Sequence, residues 1–309
     1  MTEAVAVGIA GCGRVVERGY WPAIAGTTQL RLAGVADPDH GRRARIAPGI
    51  PGFGTVDELL SSVPLDVLVI ATPPALHERV AVSAAAAGVR SIVEKPPAGN
   101  AEGAAALAAL DPPPWIAFNR RFEPEVERLR DDHAEPGREI EVVLSIDARR
   151  WQAFEGSPGP LLDLGPHAVD VVCWTTGLPP RRVRCEPGRR GYQSFVLELD
   201  GAVGRLHLSH EAGWHELVRV GGATYLRRGG RVDRARRAAT RRPGPLVATL
   251  RAELEAVGRA VRGVGQVDAR LGSAAEGVLV MATLDAMALA AREPGTWVSV
   301  DDRMPACSR

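Results

Sequence analysis

Two patterns of apolar and polar positions divide the chain. Over its first part, short apolar runs bounded by glycine or polar residues predict buried strands. These runs are Ala4–Ile9, Leu30–Ala36, Asp66–Ala71, Arg90–Val93 and Trp115–Phe118. The intervening stretches predict helices over Arg14–Ala25, Asp57–Ser61, Ala75–Ala87 and Asn100–Leu110, with Asp57 and Asn100 as N-caps and Gly88 ending the third. Strands that alternate with helices indicate an α/β fold with a doubly wound parallel sheet.

After about Glu123, predicted strands follow one another without intervening helices. A long strand over Glu139–Arg150 and a helix over Gly165–Thr175 come first. Several alternating strands then fill Arg181 to Leu226, with hairpin turns at Gly201 and Gly221-Gly222, and helices follow over Leu246–Arg262 and Ser273–Ala291. We therefore predict two domains, residues 1–122 and residues 123–309, the second of α+β type with an open antiparallel sheet.

The composition argues against several classes of binding partner. The chain carries 38 basic and 37 acidic residues, so no net charge drives it toward nucleic acid or an anionic membrane. Its four cysteines are widely spaced and predict no disulfide framework. The N-terminus lacks the pattern of a signal peptide, and no stretch of about 18 residues is both apolar and uncharged. We expect a cytoplasmic protein.

A glycine-rich turn follows the first predicted strand and precedes the first predicted helix. Gly8, Gly11 and Gly13 permit the tight turn and close backbone approach that a pyrophosphate at a helix N-terminus requires, although Val16 occupies the last motif position. Asp37 ends the second strand 24 positions after Gly13, where a carboxylate binds ribose hydroxyls and repels a 2′-phosphate. These features predict a Rossmann domain that prefers NAD, while Arg42 and Arg43 keep NADP open.

The carboxyl ends of the other strands extend this candidate site, because parallel sheets bind ligands there. Thr72 and the adjoining prolines are expected to line the nicotinamide wall. His77 is interpreted as a helix residue that makes local hydrogen bonds rather than as a catalyst. The complete predicted cofactor set is Gly8, Gly11, Cys12, Gly13, Arg14, Val15, Asp37, Ala71, Thr72, Pro73, His77, Glu94 and Lys95.

Lys95 is the only lysine in a chain with 37 arginines. A coding bias toward arginine explains the imbalance, but it leaves open why one lysine persists. Lysine is a compact, flexible charge whose protonation can be tuned by burial, whereas arginine stays charged. Position 95, directly after a predicted strand, therefore indicates a catalytic ammonium.

Several segments together resemble the Gfo/Idh/MocA family of glucose–fructose oxidoreductase and inositol dehydrogenase relatives. They are GIAGCGRV, VADPD, ATPPALH, VEKPPA, FNRRF and LLDLGPHAVD, in the family's order over essentially the whole chain. The resemblance implies a Rossmann domain followed by an α/β domain whose open sheet often joins subunits. It also implies NAD(P)-dependent oxidation or reduction of sugars, cyclitols or related carbonyl compounds.

Residue roles follow from the same resemblance. Lys95 is implied to contact the substrate oxygen, after a cis bond to Pro96. Asp163 and His167 are implied to face the nicotinamide. Asn119 and Arg120 match a segment that lines the substrate cleft, although Phe118 replaces the family's usual tyrosine.

The chemistry of these residues suits hydride transfer, which needs a proton carrier and a positive charge near the developing alkoxide. His167 is the expected proton carrier and Lys95 the expected charge. Pro166 is predicted at the first helical position, so that the helix dipole would disfavour a charged His167. Asp163 is then placed in the preceding loop, and Asp170 is a candidate partner of His167.

The favoured function is an NAD-dependent dehydrogenase or ketoreductase that acts on a polyhydroxylated small molecule, as a homodimer or homotetramer. Alternatives are a reductase of nucleotide-linked keto sugars in deoxysugar or aminosugar synthesis, a non-catalytic cofactor-bound regulator, and a redox-assisted glycosidase or lyase. No metal is expected: His207, His210, His215 and Glu211 are interpreted as structural or interface residues. The arginine-rich stretch 227–242 is predicted to be a solvated loop, with phosphate binding as the alternative.

Overall fold

The computed structural model describes residues 3–46, 48–132, 139–147, 159–188, 190–221, 223–229 and 244–306. The chain forms two compact units. The first comprises Met1–Phe122 with Pro243–Gly277, and the second comprises Glu123–Arg242 with Val278–Arg309. The division after residue 122 coincides with the predicted one. The assignment of 243–277 to the second domain was wrong.

The first unit contains a seven-stranded sheet. Numbered along the whole chain, its strands are β1 (Val5–Ala10), β2 (Leu30–Ala36), β3 (Gly52–Phe53), β4 (Val67–Ile70), β5 (Arg90–Val93), β6 (Trp115–Ile116) and β13 (Gly272–Ser273). They are ordered β13-β6-β5-β4-β1-β2-β3, and every pair except β13–β6 is parallel. This order confirms the predicted doubly wound Rossmann sheet, and β1 and β4 are buried throughout because both sheet faces are covered.

The helices of the first unit surround this sheet. They are α1 (Trp21–Ala25), α2 (His40–Ile46), α3 (Val56–Ser62), α4 (His77–Ala86), α5 (Ala101–Ala108) and α8 (Pro245–Val261), with a π-helical turn over Val16–Tyr20 and 3₁₀ turns over Pro74–Leu76 and Asn119–Phe122. Asn100 caps α5 as predicted. The predicted Asp57 cap was wrong, because Thr55 accepts the Glu58 N–H and Glu58 reciprocates in a capping box.

Helix α8 explains why residues far along the chain belong to the first unit. Leu250, Leu254 and Val257 of this helix are buried in the same core as Val5 and Tyr20. The apolar face of α8 thus completes a core that residues 3–122 leave uncovered. Chain order alone could not reveal this, since the helix follows the entire second sheet.

The second unit contains another seven-stranded sheet. Its strands are β7 (Glu139–Ser145), β8 (Pro180–Glu186), β9 (Gln193–Leu199), β10 (Ala202–Ser209), β11 (His215–Val220), β12 (Ala223–Gly229) and β14 (Trp297–Ser299). They are ordered β12-β11-β7-β10-β9-β8-β14. The sheet is antiparallel except between β7 and β10, where the prediction was wrong. A parallel pair needs a long crossover, and here a helix and a hairpin intervene.

Among the described residues of the second unit, the helices are α6 (Pro124–Asp132), α7 (Pro160–Thr176) and most of α9 (Ala274–Ala290), which begins in the first unit. Helix α7 starts at Pro160, so the predictions of a start at Gly165 and of Pro166 at the first helical position were wrong. Pro160 occupies the start of the helix after Gly159, because a proline there sacrifices no hydrogen bond. Among the described residues, no helix has the length and hydropathy needed to cross a bilayer.

Candidate functional site

The predicted glycine turn closes tightly over the carboxyl edge of the first sheet. The N–H of Gly11 donates to the Ala36 carbonyl oxygen at 2.7 Å, which joins the turn to the end of β2. Gly11 has a φ of 91°, and a Cβ there would lie 2.5 Å from the Ala71 carbonyl oxygen. Both the conformation and the closeness of the β4 backbone therefore require glycine.

The turn leaves open space at Gly13, where a Cβ would meet no atom within 4 Å. The helix begins immediately afterwards, since the N–H groups of Val16 and Glu17 donate to the Gly13 carbonyl oxygen. Its first N–H groups, including those of Arg14 and Val15, have no partner within the helix. Beside Gly11, the Thr72 hydroxyl oxygen is buried without a hydrogen-bond partner among the described residues. Open space, helix N–H groups and a buried hydroxyl fit a dinucleotide pyrophosphate.

Asp37 connects the end of β2 to the same turn. Its Oδ2 accepts the Cys12 N–H at 2.7 Å, and its Oδ1 accepts the Asp39 N–H at 2.9 Å. Burial, together with the nearby Asp37 charge, raises the pKa of the Cys12 thiol to about 12, so Cys12 is not a nucleophile at neutral pH. The Arg43 guanidinium donates to the Asp37 carbonyl oxygen, and Arg42 pairs with Asp39 at 3.6 Å.

His77 has a structural role that its place in the predicted cofactor set did not anticipate. The side chain is buried, with Nε2 2.8 Å from the Thr72 carbonyl oxygen and Nδ1 3.0 Å from that of Pro97. The ring therefore lies between the loop after β4 and the loop that carries Lys95, and in its neutral form it donates to one of the two carbonyl oxygens. The interpretation as a helix residue with hydrogen bonds to the protein agrees with these contacts, whereas Pro73 remains exposed at the edge.

Glu94 also holds the Lys95 segment. Its Oε1 accepts the Tyr20 hydroxyl at 2.9 Å, and its Oε2 accepts the Lys95 N–H at 3.0 Å. Burial and then the charge of Glu94 raise the pKa of Tyr20, which keeps the hydroxyl protonated as a donor. The half-buried Lys95 follows β5, and its bond to Pro96 is cis, as the resemblance implied. Tyr20 was missed because only the fold brings it to Glu94.

Asn119 and Arg120 lie in the 3₁₀ turn over Asn119–Phe122, at the end of the first stretch of chain in the first unit. The Asn119 Nδ2 donates to the Thr249 hydroxyl of α8 at 3.0 Å, within the first unit. Phe118, which replaces the usual tyrosine, is fully buried. The predicted substrate contacts of Asn119 and Arg120 remain predictions.

In the second unit, Asp163 and His167 both lie on α7, so the placement of Asp163 in a preceding loop was wrong. Their spacing of four residues puts them on one helix face. Asp163, not His167, occupies the first turn, where the dipole favours a carboxylate. The dipole argument for His167 was therefore misplaced, because the effect decays within that turn. Asp170 lies on the same helix and is buried, and its pairing with His167 stays a prediction.

The histidines set aside as structural take different positions. His207 lies on β10, with Nδ1 2.8 Å from the Ser194 hydroxyl oxygen. His210 follows that strand, and its Nε2 lies 3.2 Å from Asp163 Oδ2. His215 belongs to β11. Across the described ranges, no group of histidine, cysteine and acidic side chains is arranged to hold a metal ion. Most of the arginine-rich stretch 227–242 lies outside the described residues.

The burial of His77 predicts a pH-dependent stability. Desolvation lowers its pKa below the ordinary value of 6.5. Between these two values the unfolded chain binds a proton that the folded protein does not, so stability falls as pH decreases below 6.5. In urea unfolding between pH 7.5 and 5, we expect His77→Gln to remove up to about 1.4 kcal/mol per pH unit of this slope. The exposed His40→Gln is the control, and an unchanged slope in His77→Gln would contradict the prediction.

Comparisons with known proteins agree with this architecture. Residues 5–111 match a family model described as an oxidoreductase family with an NAD-binding Rossmann fold. The chain is 30% identical to inositol 2-dehydrogenase of Leifsonia xyli subsp. xyli over 212 residues, covering 61% of this chain and 58% of that protein. It is 29% identical to galactose 1-dehydrogenase of Pseudomonas fluorescens over 189 residues, covering 57% of this chain and 59% of that protein. The chain thus spans less than two thirds of these curated relatives.

The fold is shared over a greater length. The solved structure of apo scyllo-inositol dehydrogenase from Lactobacillus casei matches with a TM-score of 0.78 at 18% identity, covering 97% of this chain and 100% of that chain. Strands β1 to β5 and the glycine turn lie within the segment that the family model matches. Residues 5–111 thus resemble the NAD-binding Rossmann domain of Gfo/Idh/MocA oxidoreductases, and the whole chain shares the fold of a solved dehydrogenase.

Proposed function

We propose that this protein is an NAD-dependent oxidoreductase that transfers a hydride between the nicotinamide and a hydroxyl or keto carbon of a sugar, cyclitol or related polyol. The observation that carries the proposal is the open space at Gly13 beside the Asp37 carboxylate. This space lies at the sheet edge where β5 ends, shortly before Lys95. The relatives named for activity on inositol and galactose support this substrate class.

The residues of the first sheet edge account for nucleotide binding. The pyrophosphate would lie against Gly13 and the helix N–H groups, within reach of the Thr72 hydroxyl, which has no hydrogen-bond partner in the described part of the chain. The Asp37 carboxylate would accept the ribose hydroxyls, since two bonds to backbone N–H groups leave it further lone pairs. When bound, the nicotinamide accepts or supplies the hydride.

Lys95 and His167 divide the remaining chemistry. The Lys95 ammonium would donate to the substrate oxygen, stabilising an alkoxide and lowering the pKa of the hydroxyl. In alcohol oxidation, the hydroxyl proton would pass to the imidazole of His167. Asp163, one helical turn earlier, would accept a substrate hydroxyl or orient His167. Asn119 and Arg120 are proposed to contact the polyol.

The outer face of the second sheet is proposed to join copies into a homodimer or homotetramer. This face carries ion pairs of both signs, such as Arg182–Glu198 at 2.7 Å and Arg219–Glu141 at 3.1 Å. Opposite charges in alternation suit the self-complementary contact of a two-fold interface. Sedimentation at several concentrations measures the assembly directly.

Substitution at two glycines separates nucleotide binding from folding. Gly13→Ala places a methyl group in the open space, so we expect a normal melting temperature but a loss of the shift that NADH produces. Gly11→Ala strains the backbone and is expected to cost on the order of 1–3 kcal/mol of stability without ligand. An unchanged NADH shift in Gly13→Ala would contradict the assigned pyrophosphate position.

Asp37 is expected to set the preference for NAD. Replacing it with serine removes the charge that accepts ribose hydroxyls and repels a 2′-phosphate, so Asp37→Ser should bind NADH about 10- to 100-fold more weakly. Its discrimination against NADPH should fall at the same time. The exposed Asp39→Ser is the matched control and should alter the NADH-to-NADPH ratio much less. Equal ratios in the two variants would refute the role of Asp37.

Lys95 and His167 are tested by turnover against a panel of sugars, cyclitols and their keto forms, followed by NADH absorbance. On a substrate so identified, Lys95→Met should lower kcat about 10²- to 10³-fold and His167→Ala about 10²- to 10⁴-fold, with NADH affinity little changed. Wild-type activity in either variant would exclude that residue from catalysis. If the wild-type protein binds NADH but turns over no compound of the panel, the alternative of a non-catalytic cofactor-bound regulator is favoured.

A further inference from the structure

We propose that His210 is a positioning residue of the hydride-transfer site, where it fixes the carboxylate of Asp163. The inference rests on the proposed function, since Asp163 matters for turnover only if the second unit serves that reaction. It assigns a role to a histidine that sequence reasoning placed among structural or interface residues. The observation is the 3.2 Å separation between His210 Nε2 and Asp163 Oδ2 within the second unit.

The burial of Asp163 gives this contact its importance. The Asp163 side chain is 3% exposed and that of His210 is 17% exposed, so water offers little competing hydrogen bonding. A carboxylate at such depth needs donors to offset its lost hydration. The N-terminal turn of α7 supplies a favourable dipole, and His210 supplies a directed donor from another element of the unit.

The backbone on either side of His210 is firmly held. The Ile146 N–H donates to the Ser209 carbonyl oxygen at 3.0 Å, which extends the β7–β10 pairing. On the other side, the Ser209 hydroxyl oxygen accepts the N–H groups of Glu211 at 3.0 Å and Ala212 at 3.1 Å. His210 therefore projects from a fixed strand end, as a positioning residue must.

The geometry links His210 to the proposed proton carrier through Asp163. Asp163 and His167 lie four residues apart on α7, so a carboxylate held in one rotamer presents its acceptors at a constant place on that helix face. A carboxylate has about four lone-pair sites, so the bond to His210 leaves acceptor capacity. Loss of His210 would remove the donor that reaches the carboxylate from the end of β10, and would weaken its alignment.

Steady-state kinetics of three variants test the inference. We expect His210→Ala to lower kcat about 10- to 100-fold while NADH affinity stays within about twofold, because the nucleotide contacts lie in the first unit. His210→Gln keeps a side-chain N–H and should recover part of the loss. His207→Ala, on the strand that precedes His210 but bonded to Ser194, is the matched control and should retain kcat.

A double-mutant cycle distinguishes positioning from general destabilisation. Asp163→Asn combined with His210→Ala should lose no more kcat than Asp163→Asn alone, since the second residue acts through the first. Additive losses, or full kcat in His210→Ala while His167→Ala is inactive, would overturn the inference and leave the proposed function standing. Wild-type protein that turns over no substrate would overturn both, even if unfolding midpoints showed Asp163 and His210 to be coupled.

Discussion

The close approach of two backbones at Gly11 is the constraint on which the candidate nucleotide site depends. The turn after β1 lies so near the end of β4 that a single methyl group would collide with the Ala71 carbonyl. The Asp37 carboxylate then fixes the same turn to β2 through the Cys12 N–H. Three parallel strand ends are thus drawn together, and the space that remains at Gly13 is where we propose that the pyrophosphate binds.

Buried side chains extend this fixed edge to Lys95. Glu94 accepts bonds from Tyr20 and from the Lys95 backbone, while the His77 ring lies between the Thr72 and Pro97 carbonyls. Buried polar groups hold loops more firmly than exposed ones, because a buried group that loses its partner cannot form a replacement hydrogen bond with water. Three members of the predicted site, Asp37, Glu94 and His77, therefore contribute by shaping the backbone. Only for Asp37 does the proposal add a direct contact with the nucleotide.

Strands and caps that depend on residues close together in the chain were predicted correctly from sequence patterns. Leu30–Ala36 and Arg90–Val93 were predicted with their observed bounds, and Asn100 was recognised as a cap. Partners distant in sequence were missed: α8 as a cover for the first core, the parallel β7–β10 pair and the contact between His210 and Asp163. The start of α7 was predicted too late because Pro166 was assigned to the first helical position. Pro160, earlier in the chain, occupies that position instead.

Hydrogen–deuterium exchange with and without NADH measures whether the carboxyl edge of the first sheet binds NAD. Binding at this edge would slow amide exchange at Gly13, Arg14 and Val15 and in the segment that begins at Thr72, with no comparable change on the outer strands β12 and β14. Protection confined to other segments, or none at saturating NADH, would contradict it.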